Sequence, residues 1–125
     1  MARSDDRRRA ALRERSRALF GGAHYRLEVG ASIADGDGVV CIKDLAQELG
    51  DPPGVGSVNT ELKVLERAGL LVRAPRERGE RRVYLMRQPS AYWKLCQELR
   101  DATPARTRIK RVGGAAATAS GSARD

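Results

Sequence analysis

Side chains able to do covalent chemistry are few and badly spaced in this chain. His24 is its only histidine, at the start of an expected helix, so a Ser-His-Asp relay has nothing to assemble around and no catalytic residue is expected. Asp35-Gly36-Asp37-Gly38 resembles the opening of a calcium loop, but the later carboxylates and the closing glutamate are missing, and it reads as a turn. Cys41 has no second Cys or His near it to begin a tetrahedral zinc site. No glycine-rich loop leads into a lysine, so nucleotide hydrolysis is not expected, and neither a metal nor a cofactor is called for.

Recognition chemistry, by contrast, comes at regular spacing. Ser57, Asn59, Thr60 and Lys63 fall on the polar side of a segment whose other side is Val58, Leu62 and Leu65. Asparagine can pair with an adenine edge and lysine with guanine, so this face suits base readout in a major groove. Shortly after it, residues 73–87 carry six arginines against two glutamates, among them Arg76, Arg78, Arg81 and Arg82. Guanidinium groups gathered at a hairpin tip suit phosphate contacts or a narrow, strongly negative minor groove. A solvated hairpin in an arginine-rich protein would carry arginines anyway. What gives these weight is their place directly after two short helices.

Those helices and the hairpin follow from periodicity. Ile42, Leu45, Ala46 and Leu49 recur at i, i+3, i+4 and i+7, one apolar stripe of a helix that Gly50 ends. Asp51-Pro52-Pro53-Gly54 cannot continue it, and a second helix is expected from Ser57, taken as its cap, to Ala68 and Gly69. The period then changes to two, giving strands at residues 70–74 and 82–86 joined by a glycine-containing turn. Upstream, residues 5–20 form an expected helix with Ala11, Leu12, Ala18 and Leu19 spaced by seven, a narrow seam of the kind helices use to pair. Residues 23–34 follow as a helix and 39–41 as a short strand. Downstream, Ser90 caps a helix striped by Tyr92, Leu95, Cys96 and Leu99. The fold class is therefore α+β, mainly helical: an N-terminal helical arm (1–22), a winged helix-turn-helix (23–88), a C-terminal helix (89–101) and a disordered basic tail (102–125). Arg106, Arg108, Lys110 and Arg111 would make that tail a non-specific DNA tether. Leu12 and Leu19 with Tyr92, Leu95 and Leu99 leave two helical faces that a small core can hardly cover, so a two-fold dimer is expected.

Ala18-Leu19-Phe20, Tyr25-Arg26-Leu27-Glu28-Val29, Asp44-Leu45-Ala46-Gln47-Glu48-Leu49-Gly50, Leu62-Lys63-Val64-Leu65-Glu66-Arg67-Ala68-Gly69-Leu70 and Arg82-Val83-Tyr84-Leu85 come in an order that resembles the ArsR-like winged-helix regulators, with MarR-like proteins a close second. The likeness runs over roughly residues 10 to 100. It implies a cytoplasmic, homodimeric transcriptional regulator, usually a repressor released by a small effector. Three departures stand out. The turn between the two helices is about two residues longer than the family's. Glu61 stands where many members carry a histidine in the recognition helix, so its carboxylate would accept from cytosine or repel phosphate. Lys43 occupies the second position of the Cys-x-Cys pair found in metal-sensing members, beside Cys41. Some members sense oxidants through a cysteine pair, which would make Cys41 and Cys96 a redox pair, against the plainer reading of both as small buried hydrophobes.

Composition agrees with one small domain and tails. The 125 residues carry a net charge of +8, which favours polyanionic partners through counterion release, although all but four of the 24 basic residues are arginine, a bias that genomic composition alone can produce. No stretch approaches the ~18 apolar residues of a membrane span, and the charged start is not followed by the apolar run of a secretory signal. Two distant cysteines do not make a disulfide framework, so the chain is expected in the cytoplasm with reduced thiols. Double-stranded DNA and a second copy are the expected partners, a small-molecule or redox effector stays open, and no membrane is involved. The competing class is a winged-helix module that contacts proteins or binds nucleic acid without sequence preference, as an accessory or architectural protein does.

Overall fold

The computed structural model describes residues 2–102. The expected basic tail therefore lies, beyond Ala102, outside the described residues. The fold is α+β and mainly helical: α1 (Ala2–Phe20), α2 (Arg26–Asp35), β1 (Val39–Cys41), α3 (Ile42–Leu49), α4 (Gly54–Arg67), β2 (Leu71–Arg73), β3 (Tyr84–Arg87) and α5 (Ala91–Asp101). The strands form one antiparallel sheet in the order β1-β3-β2, with Val40 opposite Leu85 and Leu85 opposite Arg73.

The main core lies between the sheet and α2, α3, α4 and α5. Val29, Ile33, Val40, Leu45, Val58, Leu62, Leu65, Leu71, Leu85 and Trp93 are buried together there. A smaller core of Leu12, Leu27, Ala31 and Cys96 sits under α1, with Phe20, Tyr92 and Leu99 packed around it. Gly30 lets α2 and α5 meet closely, because a Cβ at that position would stand 2.5 Å from the Cys96 Sγ. At the end of α4 the Leu70 N–H donates to the Leu65 carbonyl and the Gly69 N–H to the Glu66 carbonyl, a Schellman closure that needs the left-handed φ of +82° at Gly69. The Ser90 hydroxyl accepts from the Tyr92 N–H at 3.0 Å, as the cap expected for α5.

Several boundaries and faces differ from expectation. The second of the paired helices begins at Gly54, with Pro53 ahead of it and no side-chain cap, so Ser57 lies inside the helix and does not cap it. α2 begins three residues late, at Arg26, and its missing cap comes from another helix: Ser16 of α1, fully buried, accepts from the Leu27 N–H and donates to the Ala23 carbonyl. The buried face of α1 is thus Leu12 and Ser16, one turn apart, and not the seven-residue seam through Leu19. Leu12 is 6% exposed, covered by the chain's own α2 and α5, so it cannot serve as a contact to a second copy. On α5 the face is turned by about one residue. Trp93 is buried and donates from Nε1 to the Gln88 carbonyl at 2.7 Å, whereas Leu95 points outward. β3 runs to Arg87, whose guanidinium Nη1 donates to the carbonyls of Ile33, Ala34 and Gly36 and so closes the C-terminal end of α2.

Candidate nucleic-acid interface

Helix α4 divides cleanly into two sides. Val58, Glu61, Leu62 and Leu65 face the core at i, i+3, i+4 and i+7. Glu61 is therefore a core-side residue, 6% exposed, and its carboxylate accepts from Arg26 Nε of α2 at 2.7 Å. That arrangement corrects the expectation that Glu61 would face bases or phosphates. The signal was present, since the residue sits on the apolar stripe, but its charge drew it to the wrong side.

The other side carries the expected polar residues in unequal states. Lys63 and Thr60 are exposed; Ser57 and Asn59 are half-buried. Thr60 Oγ1 donates back to the Gly56 carbonyl at 3.1 Å, so its hydroxyl proton is already used within the helix. Asn59 and Lys63 line one cleft of about 180 Å³ together with Arg73 and Val83 from the two strands' loop ends. Along its wall Arg73 Nε donates to Glu66 at 2.9 Å, which joins β2 to α4 and keeps that guanidinium occupied.

The hairpin arginines also divide. Arg76 Nη2 donates to the Arg81 carbonyl at 2.9 Å and braces the loop across its own width. Arg82 Nη1 reaches both carboxylate oxygens of Asp44 in α3, at 3.1 and 3.2 Å, and the carboxylate holds the guanidinium pKa above its ordinary value. Arg78 and Arg81 are exposed and have no ion-pair partner among the described residues. Of the four arginines singled out from sequence, these two have side chains with neither a hydrogen bond nor an ion pair among the described residues.

The expected dimer residues are spread over α1 and α5. Arg15 Nη1 of α1 donates to the Leu99 carbonyl of α5, and each helix carries an exposed leucine one turn from this tie: Leu19, 55% exposed, four residues after Arg15, and Leu95, 45% exposed, four residues before Leu99. Tyr92 and Leu99 are half-buried against the small core. The enclosed Tyr92 hydroxyl makes no standard hydrogen bond, and burial beside the Cys96 thiol pushes its pKa up.

Cys41 and Cys96 are both buried free thiols in separate surroundings. Cys96 lies in the small core under α1, where burial raises its pKa and so disfavours the thiolate that oxidants attack; Cys41 lies at the end of β1 beside Asp44, Leu45 and Tyr84. The structure does not bring the two together as a redox pair. Among the described residues no three His, Cys, Asp or Glu side chains are grouped to hold a metal ion, and no helix is long and apolar enough to cross a membrane. No protein family, curated protein or solved structure matches the chain.

Proposed function

We propose that the chain is a sequence-specific double-stranded DNA-binding transcriptional regulator of winged helix-turn-helix type, acting as a homodimer in the cytoplasm, and not an enzyme. In this reading α3 and α4 are the helix pair, α4 enters the major groove with Asn59 and Lys63 toward the bases, and the hairpin between β2 and β3 is the wing, gripping backbone or minor groove with Arg78 and Arg81. The observation that carries it is the cleft that Asn59 and Lys63 share with the hairpin's Arg73 and Val83, which sets base-reading groups and a cationic loop side by side. The order β1-β3-β2, with α3 and α4 between β1 and β2, supports the same reading. Leu19 and Leu95 are the apolar side chains left for a second copy.

A second reading is a nucleic-acid-binding accessory module without sequence preference. It is favoured by the hydroxyl of Thr60 being turned onto its own helix, which takes one polar group from base readout, while the exposed Arg78 and Arg81 suit phosphate of any sequence. Salt titration of variants on a duplex enriched from a random-sequence pool and on a shuffled duplex separates the two. Asn59→Ala or Lys63→Ala should cost about 1 to 3 kcal/mol on the enriched duplex and little on the shuffled one. Arg78→Ala or Arg81→Ala should weaken both, each lowering the slope of log K against log salt by about one unit. Equal losses on both duplexes for the α4 variants would refute sequence-specific reading and leave the accessory module.

A further inference from the structure

Among the described residues, two of the three buried polar side chains, Glu28 and Glu61, are held by arginines that link three helices in series. Arg13 of α1 donates from Nε to Glu28 of α2 at 2.7 Å and from Nη2 to the same carboxylate at 3.2 Å. The same Nη2 donates to the Pro52 carbonyl at 3.3 Å, in the turn that enters α4. Two residues earlier on α2, Arg26 donates to Glu61 of α4, and its guanidinium lies 5.3 Å from the centre of the Phe20 ring of α1. Arg13 lies 5.1 Å from the Tyr25 ring in turn. α1 thus reaches α4 at two places, directly at the turn that enters it and, through α2, at Glu61 two turns further on.

The first turn of α4 needs such support. It reads Gly54-Val55-Gly56-Ser57: Gly56 costs about 1 kcal/mol relative to alanine in a helix, and Gly54, at a φ of +79°, departs from helical backbone. Pro53 supplies no side-chain cap to the N–H groups that follow Gly54, whose own N–H donates to the Gly50 carbonyl. A weak helix start next to residues meant to read bases would let Asn59 wander, and loose placement of a recognition group loses discrimination before it loses charge attraction.

We propose that Arg13 is a positioning residue for α4: its fork between Glu28 and the Pro52 carbonyl fixes where the first turn of the reading helix sits, so that α1, the helix carrying the exposed Leu19, sets how the protein discriminates sequence. The link to discrimination rests on the proposed role of α4; the tether itself does not. Both arms of the test use the full chain.

In the free protein, Arg13→Ala should speed amide hydrogen exchange of residues 54–60 by roughly tenfold, because a charge-assisted bond holding that turn is gone. Arg15→Ala, which removes the neighbouring tie from α1 to the Leu99 carbonyl, should leave those amides as they were. Where the alanine variant is too unstable to fold, Arg13→Lys keeps charge for Glu28 without the fork and should show the same fast exchange. Unchanged amides in the Arg13 variants, or equal speeding in Arg15→Ala, overturn the tether. On DNA, Arg13→Ala should lower the ratio of affinities for the enriched and shuffled duplexes by roughly tenfold while leaving shuffled binding near wild type, the loss expected of one base-directed contact. Fast exchange with an unchanged ratio overturns the link to recognition. A wild-type protein that enriches no sequence places the fault with the proposed function, and the exchange arm still decides the tether.

Discussion

Gly30→Ala should reverse its sign depending on one neighbouring atom. In an exposed helix interior the change gains about 1 kcal/mol, because glycine loses more backbone freedom on folding. Here the added Cβ would stand 2.5 Å from Cys96 Sγ and 3.4 Å from Tyr92 Cε2, and Cys96 is fully buried on α5 with nowhere to retreat. Relieving a contact more than an ångström too short means shifting α5 off α2. Overpacking of that kind costs about 1 to 3 kcal/mol, and the upper part of the range applies because the obstacle lies next to the backbone of a packed helix. The net expectation is a loss of about 1 to 2 kcal/mol. In a Cys96→Ala background the sulfur is gone and the nearest atom of residue 96 is its Cβ at 3.4 Å, an ordinary contact. The same Gly30→Ala change should then stabilise by up to about 1 kcal/mol, giving a coupling of about 2 to 3 kcal/mol. Urea unfolding of the four proteins in this cycle measures it. If Gly30→Ala stabilises the wild type, α5 does not cross α2 at this point, and the placement of Leu95 and Leu99 beside α1 goes with it.

Three further outcomes follow from the geometry. Leu19→Glu with Leu95→Glu should yield a folded monomer by sedimentation, while Leu12→Ala should cost about 2 to 5 kcal/mol in any assembly state because Leu12 is core; a dimer that survives both glutamates refutes the α1 and α5 surface. Asp44→Asn frees Arg82 and removes a negative charge beside it, so binding to shuffled DNA should tighten and the salt slope steepen by about one unit; weaker binding would show that Asp44 aims Arg82 at phosphate. Asp35 is held below the usual carboxylate range by its hydrogen bond from Arg100, then by Gln97. A depressed folded value means stabilisation that is complete above the unfolded pKa of ~3.9 and lost as pH falls through the folded one. Arg100→Ala should therefore raise the Asp35 pKa in a carboxyl NMR titration and destabilise the protein slightly at neutral pH but not at pH ~2; an unmoved titration refutes the pair.

The elements with local causes were legible along the chain. The stripe of Ile42, Leu45, Ala46 and Leu49, the cap at Ser90, the closing glycine at residue 69 and the change of period into the hairpin each depend on residues within a turn of one another, and each stands where expected apart from shifted strand ends. The polar face of Asn59 and Lys63 was legible for the same reason: a helix that buries Val58, Leu62 and Leu65 must turn those two away.

What local patterns could not decide was the exact phase of the flanking helices and the partner of each charge. On α1 the expected companion of Leu12 was Leu19, and α2 drew Ser16 inward instead by presenting an N–H that its hydroxyl accepts. On α5 the expected stripe ran through Leu95, and the main core took the larger ring of Trp93 instead. Glu61 found Arg26 35 residues away, and Arg87 found the end of α2 more than 50 residues back. Arg82, counted among free cations, was claimed by Asp44 across 38 residues. Hydrophobic period and capping act over a few residues and can be read from their order; charge pairing and the choice of buried face act through space, and only the packed chain brings those groups within reach.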